Sequence, residues 1–72
     1  MAQGTISSKK ISDNIRAERN RAKLTQEEVA NKLNITTKTY MSYENDARGI
    51  RATTIYNLSK IFNCNIDAFY LQ

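Results

Sequence analysis

The chain has 72 residues, with eleven Lys and Arg against seven Asp and Glu, no His, no Pro, two Gly and one Cys. That length holds one small domain, and the formal charge of +4 either favours an anionic partner or simply keeps a small protein soluble. Cys64, with no second Cys and no His, excludes an internal disulfide and a Cys/His zinc site, and no apolar run has the length of a membrane span or forms a secretory signal.

No cofactor, metal or membrane partner is therefore expected, and the expected compartment is the cytoplasm. Cys64 itself reads as a small core hydrophobe.

Residues 1–8, MAQGTISS, have little to bury and are expected as a flexible arm ahead of one domain over 9–72. The first helix is expected to begin at Lys9 or Ser12 and to run to Ala22. Ile11, Ile15 and Ala22 lie on its inner face, with Arg16, Arg21 and Lys23 outside. Arg19 falls on the inner face by its spacing from Ile15. A bare guanidinium is costly there, so Arg19 needs a partner.

The second helix spans Gln26 to Leu33, with Val29, Ala30 and Leu33 at three- and four-residue spacing. Thr25 stands at its N-cap, and Glu28 is placed to complete a capping box. Asn34 breaks the pattern at a position that tolerates left-handed backbone, and Ile35 returns the chain to the core. Thr36 caps a third helix from Thr37 to Glu44. Its inward residues are Tyr40 and Tyr43. Its outward residues, Thr37, Lys38, Met41 and Ser42, form a short polar face nearly free of acid.

Two short helices joined by such a turn read as a helix-turn-helix, in which one helix crosses a phosphate backbone and the next enters the major groove of duplex DNA. Thr37, Lys38 and Thr39, with Ser42 one turn on, occupy the end that reaches base edges. Lys38 suits guanine O6 and N7, while Thr and Ser donate or accept at either kind of pair. Thr36 falls at the DNA backbone, and Met41 lies either against a thymine methyl or against the backbone. Thr25 and Gln26 offer amides and an amide side chain to a phosphate.

After the loop DARGIRA, a fourth helix from Thr53 to Phe62 carries Ile55, Leu58, Ile61 and Phe62 as a core stripe. Asn63 ends it. Asn65 caps a last short helix, Ile66 to Leu71, with Asp67 complementing its dipole. Phe69, Tyr70 and Leu71 either close the core or form an interface.

From about Ile11 to Tyr70, with no insertion or deletion, the sequence resembles the Xre-type helix-turn-helix domains of phage repressors, Cro proteins and many small bacterial regulators. The marks are Ile15-Arg16 and Arg19, the TQEEVANKL run, Ile35-Thr36, Tyr43-Glu44-Asn45, and IYNLSKIFNCNIDAFY. The resemblance implies an all-α, compact five-helix lambda-repressor-like fold. It also implies that Arg19 pairs with Glu44, that Gln26 meets DNA at the half-site edge, and that Asn45 contacts phosphate. Arg48 and Arg51 would approach a phosphate strand or groove edge. Lys9 and Lys10 would form either a basic arm or two solvated charges. Phe69, Tyr70 and Leu71 would contribute to a two-fold dimer.

The sequence departs from the family pattern at Asp46, usually glycine and still able to adopt left-handed backbone, at Ile50, usually proline, and at Asn63, where glycine is preferred. The function implied is a sequence-specific double-stranded-DNA-binding transcriptional regulator, a repressor acting as a homodimer on a roughly palindromic operator. The alternative is a protein-interaction module or an antitoxin, with an inhibitor, a toxin or polymerase as its protein partner. An enzyme is not expected, since the nearest pair of acids, Glu27 and Glu28, are adjacent on a helix and do not face each other.

Overall fold

The computed structural model describes residues 7–71. The expected arm falls largely on residues 1–6, outside the described residues. Ser7 and Ser8 are not part of an arm. The Ser7 hydroxyl accepts from the Lys10 amide at 3.1 Å and caps the first helix, α1, Ser8–Arg21. Three further helices follow, α2 (Gln26–Leu33), α3 (Thr37–Asn45) and α4 (Ala52–Ile61), and then a 3-10 turn, Ile66–Phe69. The described residues are thus four α-helices and a turn, not five α-helices.

The core is built from Ile15, Val29, Ala30, Tyr40, Ala47, Ile55, Leu58, Phe62 and Phe69. Tyr40 and Tyr43 meet edge to face at 6.4 Å between ring centroids, as do Phe62 and Phe69 at 6.2 Å. Cys64 packs half-buried against this cluster, where burial pushes its thiol pKa up.

None of the four helices ends on glycine, and three of them close through a left-handed residue. Lys23, Asn34 and Asn63 take the left-handed conformation, with φ of 62°, 61° and 54°. In each case the next amide reaches back to the last turn: Leu24 to the Arg19 carbonyl, Ile35 to Ala30 and Cys64 to Ser59. This is the Schellman closure of a helix C-terminus. Both asparagines were expected at helix ends from their type. Lys23 has the least suitable side chain of the three for this backbone.

α3 ends differently. Asp46 is extended, with φ −159° and ψ 111°, a conformation open to any residue. The left-handed conformation expected at Asp46 is therefore not used. The loop's positive φ lies at Gly49, at 86°. The last carbonyls of α3 are satisfied from α1, since the Ser12 hydroxyl donates to Tyr43 O at 2.8 Å and Arg16 Nη2 donates to Glu44 O at 2.7 Å.

The final element is also shorter than expected. Asn65 Oδ1 accepts from the Asp67 amide, as its capping role requires, but the helix does not continue to Leu71. Asn14 Nδ2 donates to the Phe69 carbonyl at 2.9 Å, taking the acceptor that a continuing helix would use.

Candidate nucleic-acid interface

The surface of interest begins at Thr36. Its hydroxyl accepts from the Thr39 amide at 3.1 Å and donates to the Thr39 hydroxyl at 3.0 Å, which fixes the first turn of α3. From that turn Lys38, Thr39, Met41, Ser42 and Asn45 are exposed, and Thr37 is half-buried. Ser42 donates to the Thr39 carbonyl at 2.5 Å, so its oxygen keeps acceptor capacity. The outward row bears one cation, Lys38, and no acid.

The acid of α3 points the other way. Glu44 is 2 % exposed and collects donors from three helices. Arg19 on α1 meets it side-on, with Nε to Oε2 at 2.6 Å and Nη2 to Oε1 at 3.3 Å. Gln26 Nε2 on α2 donates to Oε1 at 3.1 Å, and the Tyr40 hydroxyl donates to Oε2 from within α3. Arg19 also donates Nη1 to the Leu24 carbonyl at 2.8 Å, which locks the turn between α1 and α2.

Burial alone would raise the Glu44 carboxyl pKa. Hydrogen bonds from Arg19, Tyr40 and Gln26 outweigh it and hold the carboxyl below its usual range. The Arg19 guanidinium is held above its usual range by its hydrogen bond to Glu44. Burial first, and then the neighbouring carboxylate, pushes the Tyr40 hydroxyl up. Glu44 therefore fixes the angle of α3 against α1 and α2 while its charge is hidden from the outer face.

The partner required by Arg19 is thus Glu44. Sequence reasoning missed Gln26 and Tyr40 as further donors, and it missed Ser12 and Arg16 as caps of α3. A signal existed for Ser12, since a polar residue sits beside Ile11 on the inward stripe of α1. For Gln26 there was none, because the contact spans two elements.

The remaining expected residues divide into two groups. Thr25 is exposed, and its hydroxyl and the Glu28 carboxylate form the capping box, at 3.0 and 2.8 Å. Arg51 is exposed at the N-cap of α4, while Arg48 is paired with Asp46, Nη2 to Oδ2, at 3.2 Å. At the far end, Phe69 is 0 % exposed and belongs to the core, so it is removed from the expected interface. Tyr70 is half-buried and Leu71 is 74 % exposed. The exposed side chains of α3, the start of α2 and the loop up to Arg51 remain as the candidate surface.

A sequence model described as helix-turn-helix matches residues 15–69, from the middle of α1 to the end of the 3-10 turn. The chain belongs to the helix-turn-helix family. In this helix-turn-helix domain α2 and α3 are the two helices of the motif, and the Schellman closure at Asn34 is its turn.

Among solved structures, the domain is similar to hydroxypropylphosphonic acid epoxidase from S. wedmorenis, with a TM-score of 0.83 at 18% identity over 90% of this chain and 35% of that one. The complex of that enzyme with fosfomycin gives 0.82 at 18% over 92% and 35%. Apo-HppE gives 0.82 at 18% over 89% and 36%. At this identity the likeness is one of fold, and the chain spans about a third of the length of those structures. No curated protein matches the chain.

Proposed function

We propose that this helix-turn-helix domain is a sequence-specific double-stranded-DNA-binding transcriptional regulator, a repressor that acts as a homodimer on a roughly palindromic operator. The observation that carries the reading is the division of α3 into two faces. Its one acid is consumed inward by Arg19, Gln26 and Tyr40, while Lys38, Thr39, Met41 and Ser42 stand outward at the end of the helix that reaches base edges. Asn45, Arg51 and the amides at the start of α2 supply the flanking phosphate contacts.

One α3 offers only a few base contacts, so specific affinity calls for two copies with their reading helices about 34 Å apart. Leu71, at 74 % exposure, and the exposed Ile66 at the start of the 3-10 turn supply apolar surface for that contact. The reading assigns the chain a binding role and no catalytic one. Its two buried acids, Glu18 and Glu44, are committed to Arg21 and Arg19. No helix among the described residues is long and apolar enough to cross a membrane, and the proposed place of action is the cytoplasm.

Selection from random duplex DNA at one moderate salt concentration tests this. A recovered two-fold motif is expected. Recovery of no motif, with only weak salt-sensitive binding, overturns the reading in favour of a protein-binding role such as that of an antitoxin.

A further inference from the structure

The loop between α3 and α4 contains its own anion. Asp46 Oδ1 accepts from the Arg48 amide at 2.9 Å, and Asp46 Oδ2 lies 3.2 Å from Arg48 Nη2. One carboxylate therefore takes both the main-chain and the side-chain donors of Arg48. The side chains are 45 % and 83 % exposed, so the pair sits on the surface and not in the core. Asp46 is in ordinary extended backbone and the left-handed residue of the loop is Gly49, so the pair does not serve to hold a strained backbone in place.

A carboxylate held against an arginine in this way accepts from the same donors that a phosphate oxygen would engage. The Ser8 side chain, the Arg48 amide and the nearby cations Arg48 and Lys9 hold the Asp46 carboxyl below its usual range. Arg51, two residues beyond Gly49, has no ion-pair partner among the described residues. The two loop arginines are therefore electrostatically unlike, although their residue type is the same.

We propose that Asp46 is an intramolecular stand-in for a DNA phosphate, occupying Arg48 so that this arginine engages the duplex only by exchanging one anion for another. The proposal rests on the DNA-binding reading above and adds a brake on sequence-independent affinity. Arg51 carries the loop's phosphate contact in the native chain, and Arg48 is held in reserve. Because phosphate contacts carry no sequence information, release of Arg48 strengthens binding to all duplexes alike.

The test is binding of a short mixed-sequence duplex over NaCl concentrations from about 50 to 200 mM, for the full chain and for Asp46→Asn, Arg48→Ala and the double variant. Asparagine keeps the Oδ1 acceptor for the Arg48 amide and removes the charge. Asp46→Ser repeats the comparison with a different side chain, and helical circular dichroism confirms the fold of each.

Asp46→Asn is expected to bind roughly three- to fivefold more tightly at low salt, with a salt slope steeper by about 0.9. Arg48→Ala should cost less than about twofold alone but should cancel the gain in the Asp46→Asn background. An equal cost of Arg48→Ala in both backgrounds overturns the proposal, since Asp46 then acts only as a general negative charge. Absence of DNA binding by every variant at the lowest salt is a different failure. It removes the DNA-binding reading, and the proposal with it.

Discussion

Arg19 and Glu44 face each other side-on across the α1–α3 contact, with Nε to Oε2 at 2.6 Å and Nη2 to Oε1 at 3.3 Å. Their side chains are 14 % and 3 % exposed. Removing one partner of such a buried pair leaves the other charge without compensation, at a cost of about 3–5 kcal/mol. Arg19→Ala and Glu44→Ala should each lose that much, a large share of the margin of a small domain. Urea unfolding followed by circular dichroism measures it. Losses below about 1 kcal/mol would show that the pair is not what holds α3.

The same carboxylate sets the acid limit of stability. The folded-state pKa of Glu44 is depressed, so its stabilising contribution is fully present above the ordinary glutamate pKa and is lost as pH falls through the folded value. Stability should stay level from neutrality to about pH 5 and decline below about pH 4. A pH series of melting temperatures should show this acid decline flattened in Glu44→Gln, which starts from lower stability at neutral pH.

Lys23 occupies a left-handed position at the end of α1, with φ 62°, and its side chain is exposed. The conformation costs a non-glycine residue about 1–2 kcal/mol, and glycine returns part of that through its more flexible unfolded chain. Lys23→Gly is therefore expected to stabilise the domain by about 0.5–1 kcal/mol, a few degrees in melting temperature. A lower melting temperature would contradict the assignment of strain to this residue.

Lys38 and Arg51 should fail in different ways as DNA ligands. Lys38→Ala is expected to relax preference at one base pair, at about 1–3 kcal/mol for that pair, whereas Arg51→Ala should weaken binding to every duplex and reduce the salt slope by about 1. Affinities measured on a selected motif and on a mixed sequence, each at several salt concentrations, separate the two. Equal losses on both duplexes for both variants would contradict the assigned roles.

Phe69 and Leu71 are two residues apart and should respond oppositely. Phe69 is fully buried against Phe62, so Phe69→Ala should cost about 3–5 kcal/mol of fold stability. Leu71→Asp should leave the melting temperature of the monomer nearly unchanged and weaken self-association, as read by sedimentation. A dimer insensitive to Leu71→Asp would place the two-fold contact elsewhere.

The motif was legible because its signals are local. The Thr25–Glu28 capping box, the turn at Asn34, the cap at Thr36 and the stripe of α4 each lie within a few residues of sequence, and each appears as expected. The Arg19–Glu44 pair was legible for a different reason, since an arginine on an inward face demands an anion and the family resemblance supplied it. Cross-element hydrogen bonds were not legible. Nothing near Gln26 indicates that its amide turns onto Glu44, and nothing near Asn14 indicates that it ends the last helix by taking the Phe69 carbonyl. Asp46 misled for a physical reason, because a residue that tolerates left-handed backbone does not have to adopt it.

The bond from Asn14 to Phe69 also bears on how the domain forms during synthesis. It joins positions 55 residues apart, and the fully buried ring of Phe69 closes the cluster that begins at Ile15. Within this domain α1 is synthesised before Phe69, so the emerging helices have no complete core until that ring has cleared the exit tunnel. The helix-turn-helix segment can form its capped turns earlier, but it gains its tertiary support in a single late step. A stalled or shortened chain that lacks Phe69 should therefore present loosely held helices to chaperones and proteases, instead of a smaller working domain.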